Sequence, residues 1–571
     1  MPRAAGGSGA MHVVTTRQRR GQKEYTATLL RRSFREGGKV KKQTLANLSR
    51  LPDELVELIR RHLRGERFIA GSELEIARSL PAGHVTAALA MARRLDLPRL
   101  LDRSPSRERD LALALIVGRV LGPDSKLGFV RSLHQSTLAS ELGVEGADED
   151  DFYAALDWLS ERQERIEARL AHRHLADGDM VIYDLSSSYF EGRTCPLAAR
   201  GYSRDGRRGS AQIVYGLITN RAGKPVAVEV FKGNLHDHQT LPAQLERLKR
   251  RFGLTQIVVV ADRGMVTKAN VEALAAAGLD WITALKAPQV KKLARSATLQ
   301  PSLFDELNLA EISSDEFPGE RLVVCRNPLV AAERTRKRED LLAATEAELE
   351  PIAERVRRGG LVDAGEIGLV VGPALKRFRM KKHFDLEISD GHFAFRRKTD
   401  QIAAEQALDG IYVLRTSLPA ERLEGPDVVR AYKDLQHVEQ AFRVLKGRAL
   451  EIRPIHHRLE HRVRAHVFCC MLAFYLERHL REAWQELTFQ DEQPPGRPDR
   501  VAKASRSPSA QAKAASKRTA AGHPAYSFRG LLSELATQTR NTIRLPGTAA
   551  SFDKLTEPTD LQAHALELAG A

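Results

Sequence analysis

Cysteine is scarce in this chain: there are four in 571 residues, Cys195, Cys325, Cys469 and Cys470, and no two stand in a CxxC pair. That spacing suggests neither a zinc site nor a disulfide framework. Long apolar runs are missing too. The longest, Val467 to Leu476, is about half of what a bilayer span requires, and no secretory leader is recognisable, so the chain reads as soluble, cytoplasmic and without a membrane partner. Aromatic residues make up 6% and form no stacking motif of the usual RNA-binding modules. Acid is in short supply: 73 Asp plus Glu face 89 Lys plus Arg, a formal charge of +16. Such an excess favours an anionic polymer as partner. It is uneven, since residues 1–50 hold twelve Lys or Arg and only Glu24 and Glu36 as acids.

What is present divides into segments, and the length implies two to four domains. Residues 1–10 form a small, Gly-rich tail. Within 1–50, apolar and polar residues alternate around Glu36-Gly37-Gly38, which predicts a basic β-hairpin. Arg31, Arg32, Arg35, Lys39, Lys41 and Lys42 gather at its turn as candidate phosphate contacts, or as cations that keep an edge ribbon soluble. Residues 51–178 read as helical and, by context, DNA-binding, with patterns at 52–65, 86–95, 108–121 and 150–175 and a break at 122–126. From Met180 the order becomes β-β-β-α-β-α-β, a mixed α/β sheet flanked by helices. This core takes in 179–287 and 409–485. Between its parts, 288–408 is an insertion with a helical span at 331–358 and β-like runs at 367–372 and 392–398. Residues 493–526 read as a disordered basic linker, and 527–571 as a C-terminal module ending in a helix.

Three acids stand out. Asp184 lies inside an apolar strand and Asp262 ends another, and a carboxylate in or just past a buried strand is costly unless it binds something. Asp-Arg-Gly after a strand is also an ordinary turn. The third, Glu439, belongs to a predicted amphipathic helix over 431–446, where Leu435, Val438, Phe442 and Leu445 recur at spacings of three and four. On a 3.6-residue period Tyr432, Glu439 and Lys446 share one edge of that stripe. Two Asp from neighbouring strands and a Glu from a covering helix can hold two hard cations about 3.5–4 Å apart, the arrangement for in-line phosphoryl displacement.

The strand order, these acids and the Tyr432, Leu435, Glu439, Lys446 spacing resemble the DDE transposases of the insertion-sequence four group, with a ribonuclease-H-like core. The resemblance implies that Asp184, Asp262 and Glu439 are catalytic and bind two Mg²⁺, with Mn²⁺ as a substitute. It implies DNA contacts by Tyr432, Lys446 and Arg443, the last standing in for the signature Arg that Leu435 replaces. It also implies double-stranded DNA partners, the element's terminal inverted repeats and the target, a homodimer in the synaptic complex, and a bacterial, nucleoid-associated setting. A nuclease that cuts without joining and a noncatalytic DNA-binding relative are the alternatives. The helix is followed by a basic stretch, Arg453 to Arg464, that reads mainly as a solvated face.

Overall fold

The computed structural model describes residues 10–66, 68, 74–207, 209–296, 299, 308–493, 506–546 and 550–571. It divides into two compact units, Met1–Ser79 with Arg540–Thr556, and Leu80–Thr539 with Glu557–Ala571. In the first, β1 (Met11–Arg20), β2 (Lys23–Glu36) and β3 (Lys39–Asn47) make an antiparallel sheet in that order. The predicted turn at Gly37-Gly38, both with φ near +60 to +77°, is one of two, the other being at Gly21. A helix, Asp53–Leu63, follows, and then a strand, β4 (Glu75–Pro81), in a stretch that the sequence reads as helical. The Gly-rich tail lies outside the described residues except for Ala10.

The second unit opens with helices, the longest being Gly83–Arg94, Arg107–Leu121 and Glu149–His174. Their starts follow from local chemistry. Ser106 accepts from the N–H of Arg109, and Asp148 and Asp151 cap reciprocally at 3.0 and 3.3 Å. Glu149–His174 packs on the long helix Glu460–Ala483 and on the sheet, so helices and sheet share one core.

The sheet begins with β5 (Met180–Tyr189), β6 (Gln212–Asn220), β7 (Pro225–Lys232), β8 (Val258–Ala261) and β9 (Asp280–Ala284). The first three are antiparallel neighbours, while β8 runs parallel to β5 and β9 parallel to β8. The spatial order β7-β6-β5-β8-β9, with those directions, is that of a ribonuclease-H-like fold. Beyond β9 the sheet is extended by β10 (Leu309–Ile312), β11 (Arg321–Arg326) and, later in the chain, β14 (Ile411–Thr416), all antiparallel, so that eight strands run β10-β11-β14-β9-β8-β5-β6-β7.

The segment between β11 and β14 has its own small core, formed by helices Pro328–Arg357 and Ala364–Phe378 and the hairpin β12 (Phe384–Ser389) and β13 (His392–Arg397). The β-like run at 367–372 is therefore helical. Asp363 caps that helix, and Ile367, Val371, Ala374 and Leu375 are buried at spacings of four, three and one. The period is helical although the residue types favour strands.

Of the expected linker, 494–505 lie outside the described residues, but Pro508–Ser516 is a helix capped by Ser507. Its Lys513 is 6% exposed and donates to the carbonyls of Gln485 and Gln490 at 3.0 and 3.1 Å. Alanine-rich sequence with satisfied polar ends makes a helix despite its low hydrophobicity. The expected C-terminal module is split. Helices Phe528–Leu535 and Asp560–Ala569 belong to the second unit, whereas β15 (Thr539–Arg544) and β16 (Ser551–Leu555) form the sheet β16-β15-β4.

Candidate catalytic site

Asp184 sits midway along β5, between the buried Tyr183 and Leu185. Asp262 is the first residue past β8, the parallel neighbour of β5. Glu439 stands on the helix Leu435–Lys446, which lies on β5 through Leu435, Val438, Ala441, Phe442 and Leu445, all buried. These three elements bring the acids onto one concavity, shared with Tyr432, Lys433, Gln436, Asn327 and Tyr412.

The helix expected over 431–446 is two helices. Gly425–Lys433 ends at Asp434, and Leu435–Lys446 begins immediately after it. The Asp434 carboxylate accepts from Arg221 Nε at 2.6 Å, which anchors the junction to the β6–β7 turn. Tyr432 thus belongs to the preceding helix, yet its hydroxyl still reaches Asp262 Oδ1 at 3.5 Å. Burial, reinforced by the Asp262 charge, raises the Tyr432 phenol well above its ordinary range. It therefore stays protonated at neutral pH and is the donor in this contact.

Asp184 is pushed up to about 7, first by burial and then by the charges of Asp262 and Glu439. The Leu185 N–H, which Oδ1 accepts at 2.7 Å, and the Arg204 guanidinium pull the other way. Glu439 and Asp262 are exposed. Arg443 reaches back to Glu439 at 3.6 Å but is itself 80% exposed, so it stands on the solvent side of the acid. Leu435 is buried among core residues.

Lys446 is only 12% exposed, and its Nζ lies 2.9 Å from Oδ1 of Asp205. The Asp205 side chain is 2% exposed and also holds Arg453 at 2.6 Å and the N–H of Tyr189 at 3.0 Å. Neither Asp205 nor Arg204 has a signal in the sequence, because both lie in the irregular stretch between β5 and β6. Arg204 pairs with Asp237, an acid just after β7. A Cβ built on Gly264 would stand 3.5 Å from Asp237 Oδ2 and 3.9 Å from Asp262 Oδ2, so the Asp237 and Asp262 carboxylates both face Gly264. The basic stretch after the Glu439 helix is mostly paired: Arg453 with Asp205, Arg462 with Asp157, Arg464 with Glu229 and Glu460.

In the first unit the six turn cations divide by register. Arg32, Lys39 and Lys41 share one face of the ribbon, and Arg31, Arg35 and Lys42 the other. Arg32 donates to Gln43 at 3.0 Å and Lys41 pairs with Glu36 at 2.5 Å, all four being surface groups.

Residues 191–476 match the transposase DDE domain family, and residues 13–73 match the N-terminal domain of the IS1634 family transposases. The first match spans half of the chain, which therefore belongs to the DDE transposases and is a DNA transposase of the insertion-sequence kind. No curated protein matches the chain. Among solved structures, a cryo-EM structure of the piggyBac transposase synaptic complex with hairpin DNA aligns over 79% of this chain and 76% of that one, at 10% identity and a TM-score of 0.34.

DDE transposases generally use divalent metals. Among the described residues no group of three His, Cys, Asp or Glu side chains is drawn together tightly enough to hold an ion as it stands. The donor chemistry nevertheless fits one. Asp184, Asp262 and Glu439 offer hard carboxylate oxygens to one concavity, and their mutual repulsion is the charge that a cation relieves.

Proposed function

We propose that Asp184, Asp262 and Glu439 are the catalytic acids of a strand-cleaving and strand-joining transposase, and that together they hold two Mg²⁺ ions, with Mn²⁺ as a substitute. The observation that carries this reading is the convergence of the three carboxylates from β5, the end of β8 and the helix packed on β5. When bound, such a pair of ions activates the attacking hydroxyl and neutralises the leaving 3′-oxygen. The chain's own groups set the stage for it. Asp184 must lose its proton to act as a ligand, and Tyr432 fixes the Asp262 carboxylate through its hydroxyl. Water first attacks the phosphorus at an element end, breaking the P–O3′ bond and leaving a 3′-hydroxyl and a 5′-phosphate. The freed 3′-hydroxyl then attacks a target phosphodiester, and no covalent protein intermediate is required. Synapsis of two ends calls for a homodimer, with the terminal inverted repeats and the target as its duplex partners.

Lys446 supports this site from behind. Through Asp205, which also holds Arg453, it ties the far end of the Glu439 helix to the loop carrying Arg204. Cleavage of a labelled duplex bearing the element's own terminal sequence tests the reading. Glu439→Gln is expected to lower Mg²⁺-dependent nicking about 10²-fold or more while retaining end binding. Nicking near the wild-type rate would remove Glu439 from the site.

A further inference from the structure

A second cavity, of about 690 Å³, opens in the second unit and shares no residue with the carboxylate concavity. It lies between the helices of 107–174 and the segment 451–466. Lys126 lines it at 6% exposure, and its ammonium forms no ion pair or hydrogen bond among the described residues. Arg119, 8% exposed, satisfies its guanidinium only on the carbonyls of Leu450, Glu451 and Asp124, at 3.1, 3.3 and 3.1 Å. Two buried cations thus stand together with no carboxylate of the described residues on either. The acids of the lining, Asp124, Glu149 and Glu451, make no ion pair with them.

A buried ammonium without a counter-charge is costly unless an anion completes it. The neighbouring groups register the same positive field. Burial and the adjacent Arg119 pull Lys126 down to about 8, and burial with the Lys126 and Arg119 charges holds His457 down at about 3. Exposed Arg458 stands at the rim, unpaired among the described residues. Beside it the His457 ring meets Tyr153 edge-on at 6.0 Å, and the Arg462 guanidinium lies 4.7 Å from the Tyr153 ring centre.

We infer that this cavity binds the 5′-phosphate end of a DNA strand, with Lys126 as its buried cation and Arg458 as its outer one. A terminal phosphate, tethered on one side only and carrying more charge, suits an enclosed lysine better than a phosphate held within a duplex backbone. The source of that end rests on the cleavage proposed above, in which hydrolysis at the element end releases a 5′-phosphate. Binding itself needs no cleavage, so the two readings fail separately.

The test is fluorescence anisotropy with the full-length protein and a short 3′-labelled single-stranded oligonucleotide carrying either a 5′-phosphate or a 5′-hydroxyl. Wild type is expected to favour the 5′-phosphate by about tenfold, as befits a charge-assisted contact. Lys126→Met is expected to erase that preference and to melt no lower than wild type, because it removes an unpaired buried charge. Arg458→Ala, at an exposed position, is expected to reduce the preference about threefold and guards against a folding defect in the first variant. Equal affinity of wild type for the two oligonucleotides would overturn the inference, as would a preference that survives Lys126→Met. Inorganic phosphate is expected to compete away only the 5′-phosphate advantage. A melting temperature raised by inorganic phosphate, with no 5′-phosphate advantage, would make the ligand a free anion and refute the DNA source. Nicking retained in Glu439→Gln would strike the catalytic reading and leave this result standing.

Discussion

At the scale of single residues, Asp184 carries the most consequence. Its folded value near 7 lies above the ordinary carboxylate value, so the native state holds the proton more tightly than the unfolded chain does. The stability that this proton contributes is fully present below about pH 4 and is lost as pH rises through about 7. Metal-free wild type should therefore lose stability between pH 4 and 8 relative to Asp184→Asn, by a few kcal/mol at most, in denaturant titrations with chelator present. Mg²⁺ should restore it at pH 8 and not at pH 5, since ion and proton compete for the same oxygens. Parallel curves for the two proteins would show that the carboxyl is not so placed. Lys446 poses a different question, because a cation paired to a buried acid supports the fold before any DNA arrives. Lys446→Met should destabilise the DNA-free protein by about 1–3 kcal/mol, as Asp205 keeps Arg453 and one N–H. An unchanged denaturation midpoint would leave Lys446 only a phosphate role.

At the scale of elements, the strands around the acids were legible because their pattern is strong. Val181–Tyr183 and Val258–Ala261 are buried runs of β-branched and aromatic residues, and each ends at or holds an acid. Three features were not legible. The junction at Asp434 depends on Arg221, more than two hundred residues away, and no local period announces it. The helix at Ala364–Phe378 is written in residues of strand propensity. Asp205 and Arg204 lie in irregular backbone and Asp237 opens a single 3₁₀ turn, too short for period or propensity to speak. The irregular stretch is nevertheless tightly built. Gly233 closes β7 where a Cβ would fall 1.9 Å from the Gln212 carbonyl oxygen and 2.5 Å from that of Ala199, both of them backbone. Backbone on both sides cannot give way as a flexible side chain would, so Gly233→Ala should cost about 3 kcal/mol by urea titration. It should also slow cleavage by displacing the loop that carries Asp237. Tolerance of alanine there would mean that the loop is looser than its contacts indicate.

At the scale of the whole molecule, the chain separates its charge from its chemistry. The acids gather in the second unit, whereas the first carries a ribbon with three of its turn cations on each face. The composition announced an anionic partner but not this division, because a run of cations in sequence says nothing of faces until the register is known. The division makes a quantitative prediction about how DNA is held. Each phosphate neutralised by a cation contributes about 0.9 to the slope of log affinity against log salt. If one face meets the duplex, replacing Arg32, Lys39 and Lys41 together by Gln, or Arg31, Arg35 and Lys42 together, should lower that slope by up to about 3 in one case and leave it nearly unchanged in the other. The face of Arg32 already commits its guanidinium to Gln43 and Lys41 to Glu36. Arg31, Arg35 and Lys42 have no side-chain partner among the described residues, and so the larger drop is expected for them. Salt titrations of end binding with the full-length triple variants measure both slopes directly. Equal losses would mean that the ribbon is gripped from both sides, and no loss in either would make these cations solubilising groups on an edge.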